Sequence, residues 1–184
     1  MNNTLFIILL NLFFYLKKDH FSKYLVKYRF FSPFLIIENY QYQRLLISYL
    51  YHLNLGHFLV NIFSFYNVSN VIERKFKKKY WTIILSSAIL SNMIHILISL
   101  FALQFYNNYD IYYSNSLGLS KIIFAIRSIY YNRLNKNVLV YGFIIHTKYI
   151  IWIELLIMLV LTSKNSFIGD LSGITSGLII NNYI

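Results

Sequence analysis

The sequence predicts an all-α membrane protein of six transmembrane helices, and three observations carry that prediction. The 184 residues are 58% hydrophobic and 20% aromatic, with only 6 acidic residues, which places the chain outside the range of ordinary soluble domains. Its apolar residues come in runs rather than stripes, as helices immersed in lipid require. Its 17 Lys and Arg fall between those runs, where a membrane protein keeps its loops. That distribution, and not the formal charge of +11, decides the meaning of the high pI and argues against nucleic acid as a partner. The lipid bilayer is the expected surrounding. With no cysteine, disulfides, thiolate metal sites and a Cys nucleophile are excluded. Neither a metal nor a cofactor is expected.

The six apolar segments run over 4–16, 56–72, 80–106, 117–131, 149–163 and 166–183. Each approaches the length that crosses a hydrocarbon core of about 30 Å at about 1.5 Å per residue, allowing for tilt. The first lacks a basic leading region and a small-residue cleavage site, so it reads as a retained anchor rather than a signal peptide. No internal repeat is visible, and residues 1–184 read as one domain. The single proline, Pro33, lies in the long first loop. The aromatic stretches 30–37 and 40–50 of that loop read as lying in the membrane interface without crossing it.

Loop charge orients the chain. Arg74, Lys75, Lys77, Lys78 and Lys79 follow the second segment, and Arg127, Arg133, Lys136 and Lys148 cluster around the junction of the fourth and fifth. The third-to-fourth connection carries only Asp110. The basic connections therefore face the cytosol, and so does the N-terminus of this multi-pass protein. The first loop opposes this assignment with Lys17, Lys18, Lys23, Lys27, Arg29 and Arg44.

An ionisable residue at the centre of a span costs roughly 2.5 to 3.5 kcal/mol and so calls for a reason. Three clusters raise the question. In His52-Leu-Asn-Leu-Gly-His57-Phe-Leu-Val-Asn61, His57 and Asn61 stand four apart on one helix face, where two convergent donors can hold a developing oxyanion. The competing reading is a helix start whose polar groups neighbours satisfy. Gly118 and Ser120 open the fourth segment, where a small residue permits close backbone approach and a hydroxyl meets the positive end of the helix dipole. Read by itself, Ser120 fits a helix cap as well as a nucleophile. Lys121, next to it, is expected to snorkel toward the interface. In the last segment Gly169, Gly173 and Gly177 form a small-residue packing ridge, with Asp170 inside it.

In this order the clusters resemble the rhomboid family of intramembrane serine proteases. The resemblance rests on Arg44 in the first loop, His57-Phe-Leu-Val-Asn61 on the second span, Glu73 after it, Gly118-Leu-Ser120 opening the fourth, and Gly173 with Gly177 on the sixth. It is strongest over residues 40–180, and implies a six-transmembrane-helix rhomboid-like bundle of the eukaryotic type, without a seventh span. It implies Ser120 as the nucleophile and His57, Asn61 and Gly118 around the oxyanion. It also implies structural roles for Arg44, Glu73, Gly173 and Gly177, and single-span membrane proteins as substrates or clients.

Two departures matter. The family's glycine after the serine is Lys121, and the position of its catalytic histidine is Asp170. A carboxylate with an ordinary pKa of about 3.9 is a poor base for a hydroxyl. Loss of a triad member costs on the order of 10⁴ or more in rate in soluble serine proteases. His95 lies deep in the third segment, His146 in a far loop, and His20 and His52 in the first loop, so none is expected to substitute. The expectation is a rhomboid-like pseudoprotease with weak or absent proteolysis, in which Lys121 and Asp170 form an ion pair. The alternatives are an active protease using Ser120 and, from another class, a small channel or transporter. The latter needs a continuous polar lining that spans one, three and five are too apolar to build.

Overall fold

The computed structural model describes residues 2–17, 23–140, 142–161 and 164–184, with the backbone alone for residues 23, 24, 161, 164 and 165. Lys18, His20, the Lys23 side chain and the last two residues of the fifth apolar segment lie outside the described residues.

Each apolar segment falls on one long helix. In chain order the helices are α1 (Asn3–Leu16), the short α2 (Lys23–Lys27), α3 (Pro33–Ile37) and α4 (Arg44–Ile47), then α5 (Leu55–Lys75), α6 (Tyr80–Tyr106), the short α7 (Tyr109–Tyr112), α8 (Ser120–Leu134), α9 (Thr147–Leu161) and α10 (Lys164–Asn181). Polar punctuation sets their ends. The Asn2 and Asn54 side chains accept from Thr4 N and His57 N, both at 2.9 Å, and so cap α1 and α5. Asn107 and Asn135, at φ 49° and 43°, close α6 and α8 in the left-handed region that asparagine tolerates.

The fold is mostly helical, as expected of an all-α membrane protein, with one short addition. Between α8 and α9 the chain forms an antiparallel hairpin, β1 (Asn137–Val140) with β2 (Phe143–His146), Asn137 opposite His146. Its turn passes through Gly142 at φ 85°.

The α6 helix shows which solvent the fold is built for. Leu85, Ile89, Met93, Leu97, Phe101 and Phe105 form an outward stripe, each at least half exposed. Ser87, Ser91, Asn92, His95 and Ser99 are fully buried on the opposite side. A helix with apolar residues outside and polar ones inside inverts the water-soluble pattern and suits a hydrocarbon surrounding. Lys77–Tyr106 is the one described helix that by itself is long and apolar enough to cross a membrane; Arg44–Leu50 and Leu55–Lys75 qualify only as a pair bent by 98°.

At the centre stands α8, packed against α5, α6, α9 and α10, with Lys121 to Ile126, Ser128 and Ile129 all buried. Its 15 residues reach about 22 Å, and Ser120 at its first position is half-buried. Gly173 and Gly177 of α10 lie directly on the Lys121 and Ala125 carbonyls of α8, leaving no room for a Cβ.

Two charged residues tie the periphery down. Both oxygens of Glu73 accept from the start of α1, from Asn3 N at 2.8 Å, Thr4 N at 2.9 Å and Thr4 Oγ1 at 2.7 Å, so a carboxylate meets the positive end of the helix dipole. Arg44, buried in the first loop, donates Nε to Gln41 Oε1 at 2.8 Å and Nη1 to the Phe30 carbonyl at 2.7 Å.

Candidate active site

The start of α8 is held in a constrained turn. Gly118 has φ +97°, which L side chains rarely adopt, and a Cβ there would stand 2.9 Å from His57 Cε1. Its N–H donates to the Ser48 carbonyl at 2.9 Å. Glycine is therefore required twice over, by backbone conformation and by the imidazole lying against it. The His57 ring is oriented in turn by Leu53 N, which donates to Nδ1 at 3.4 Å. An Nδ1 that accepts leaves the ring proton on Nε2, on the side facing Gly118.

One turn further along α5, Asn61 donates Nδ2 to the His57 carbonyl at 2.8 Å and leaves a buried Oδ1 without a partner. His57 and Asn61 thus share one face, but as placed the amide spends one N–H on its own helix and turns an acceptor, not a donor pair, to its surroundings.

Ser120, Asp170, His57 and Asn61 line one cavity of about 290 Å³, walled by Val60 and Ser64 of α5, Phe124 and Arg127 of α8, and Glu154 and Met158 of α9. It adjoins a second of about 280 Å³ at His57 and Ser120, roofed by Phe30, Phe31 and Leu53 from the first loop. Asp170 is fully buried on α10. The Ser120 hydroxyl lies within interaction range of its carboxylate, yet neither carboxylate oxygen has a partner in hydrogen-bonding geometry. Serine and aspartate are near neighbours without being a formed dyad.

Lys121 departs from both expectations placed on it. It is 4% exposed instead of snorkelling, and no Lys121–Asp170 pair forms: among the described residues the one salt bridge is Arg127–Glu154, at 2.8 Å. The Lys121 side chain crosses over Gly169 of α10, donates Nζ to Asn92 Oδ1 of α6 at 2.9 Å, and places its ammonium 3.3 Å from the ring centroid of Phe31. The ammonium is thereby satisfied by an amide oxygen and an aromatic face.

Two histidines placed at a distance by sequence reasoning are close to this region. His95, fully buried with both ring nitrogens unpartnered, packs against Phe31 at 4.8 Å between ring centroids and borders Gly169. Its helical spacing from Asn92 was the available signal. His52, in the first loop, lies 5.4 Å from His57 between ring centroids, with the planes tilted by 59°, and borders Gly118. Burial, with the neighbouring His57 second, pushes its pKa down to about 4. Among the described residues no three His, Asp or Glu side chains assemble as a metal site needs.

The mostly helical fold thus brings a serine next to a constrained glycine turn together with His57, Asn61 and Asp170 around one cavity. The chain belongs to the rhomboid family: the family model described as Rhomboid domain matches residues 39–184, and the protein is accordingly an integral membrane protein. Similar proteins include Rhomboid-like protein 14, mitochondrial, of Arabidopsis thaliana, 26% identical over 151 residues that cover 81% of this chain and 45% of that protein. Rhomboid-related protein 4 of Homo sapiens is 26% identical over 144 residues, covering 74% of this chain and 44% of that protein. The Mus musculus protein of the same name is 25% identical over 139 residues, with the same two coverages. The chain thus spans a little under half the length of these relatives.

Proposed function

We propose that this chain is a six-span, single-domain rhomboid-family protein that engages the transmembrane helices of single-span membrane proteins, and that proteolysis by it is weak or lost. The observation that carries the reading is Asp170, which stands where the family's histidine is expected and lies beside the Ser120 hydroxyl with neither carboxylate oxygen in hydrogen-bonding geometry. Transfer of the serine proton needs a base near working pH and in bonding contact; His57 faces Gly118, and Lys121 is committed to Asn92 and Phe31. The cavity lined by α5, α8 and α9 gives a client helix a place to lodge beside Ser120. A cytosolic N-terminus is supported by Glu73, which ties the start of α1 to the same end of the bundle as the basic 74–79 stretch.

The test is paired. Purified protein is incubated with a generic rhomboid substrate helix, and single-span proteins bound to it in the native membrane are identified in parallel. Clients retained without cleavage support the reading; robust cleavage that Ser120→Ala abolishes sinks it. A second reading, an active intramembrane serine endopeptidase, is favoured by Ser120 and Asp170 lining the same cavity. It predicts covalent labelling by a fluorophosphonate that is lost in Ser120→Ala.

A further inference from the structure

A third cavity lies away from the serine, at the other end of the same helices. This groove of about 230 Å³ is walled by Asn67, Val68 and Val71 of α5 and by Arg127, Tyr130 and Tyr131 of α8. Residues three and four apart share a helix face, so the α5 wall continues from Val71 into Arg74 and Lys75, and the α8 wall from Tyr130 into Arg133. Arg74 and Lys75 are exposed. Arg133, one turn beyond Tyr130, donates Nε and Nη2 to Asn181 at 2.6 and 2.8 Å, and its guanidinium stands 5.9 Å from the Phe76 ring. Lys77, Lys78 and Lys79, all exposed, extend the positive field beyond it.

Among the described residues no carboxylate forms an ion pair with Arg74, Lys75 or Arg133, while Lys79 donates to the Ile184 oxygen at 3.4 Å. Glu73 has both oxygens committed to the start of α1. Glu154 pairs with Arg127 at 2.8 Å, which removes Arg127 as a free cation. Glu38 bonds Tyr112 of α7, Asp110 lies in α7 itself, and Asp170 is in the core.

We propose that this groove is a binding site for an anionic phospholipid, with part of an acyl chain between Val68, Val71 and Tyr130 and the phosphate held by Arg74 and Lys75. Charge complementarity selects this occupant. The cations lie in or just after the C-terminal turns of α5 and α8, where a membrane protein meets lipid headgroups, and the groove beside them offers Val68, Val71 and the Tyr130 ring to an acyl chain. A zwitterionic lipid fits the channel but brings its own ammonium to the cations.

Protein purified in detergent with equal phosphatidylglycerol and phosphatidylcholine is examined by native mass spectrometry for retained lipid. Phosphatidylglycerol is expected in excess by at least about tenfold, from two cations near a phosphate. Arg74→Gln with Lys75→Gln brings the ratio close to unity, Val71→Trp lowers retention of both lipids by filling the groove, and Lys148→Gln, outside it, leaves the ratio unchanged. Equal retention by the natural chain, an undiminished preference in the double variant, or equal loss in Lys148→Gln overturns the proposal. So does full displacement of phosphatidylglycerol by inorganic phosphate, which would identify a soluble anion as the occupant.

Discussion

At the scale of single residues, Lys121 and Asn92 show what sequence reasoning could and could not reach. A lysine at the start of a span is ordinarily placed at the water boundary, where its ammonium stays hydrated. Here residues 121–126 of α8 are all buried, with α8 packed against α6 and α10, and the ammonium turns inward to Asn92 and Phe31. Knowing that required the three-dimensional position of α6, which periodicity does not supply. Removing one partner of a buried hydrogen-bonded cation is expected to cost more than removing the cation. Asn92→Leu should therefore lower thermal stability by about 3 kcal/mol, Lys121→Met by less, and the double variant should recover part of the loss. An additive double variant would show that the two side chains do not act as a pair.

His52 carries a pH dependence of definite sign. Its pKa is depressed to about 4 from an ordinary value of about 6.5, so the folded chain refuses a proton that the unfolded chain accepts. Its contribution to stability is complete above pH of about 6.5 and is lost as pH falls toward about 4. Unfolding midpoints measured across that window should fall with pH, and His52→Gln should flatten the slope. An unchanged slope would assign the dependence to other groups.

At the scale of elements, the α8–α10 contact was the most legible part of the molecule. Glycines every four residues announce a close helix pair, and Gly173 and Gly177 do lie on the α8 carbonyls. What they meet was not legible, because sequence order says nothing of which helix faces which. A methyl group at either position collides with backbone, which cannot move aside. Gly173→Ala and Gly177→Ala are each expected to destabilise by more than about 3 kcal/mol. Gly56→Ala, where the nearest atom is Asn54 Oδ1 at 3.5 Å, should be tolerated, with stability read from unfolding in detergent. The β1–β2 hairpin went unforeseen for a different reason: its strands are four residues long, too short for alternation to stand out in an already apolar chain.

At the scale of the whole molecule, the six apolar segments map onto the six long helices, and His57, Asn61, Gly118, Ser120 and Asp170 meet around adjoining cavities. The family resemblance carried that expectation, since spacing alone leaves open which helix faces which. The state of the serine is a finer matter, set by angles and fractions of an ångström between α8 and α10. Asp170 is close to Ser120 with neither carboxylate oxygen in hydrogen-bonding geometry, and the proposed loss of proteolysis rests on that arrangement. The most direct test is cleavage of a generic rhomboid substrate helix by the natural chain and by Asp170→His, with Ser120→Ala as the blank. The account predicts cleavage at the level of the blank for the natural chain and a gain for Asp170→His. Serine-dependent cleavage by the natural chain that Asp170→His leaves unchanged or lowers would contradict it.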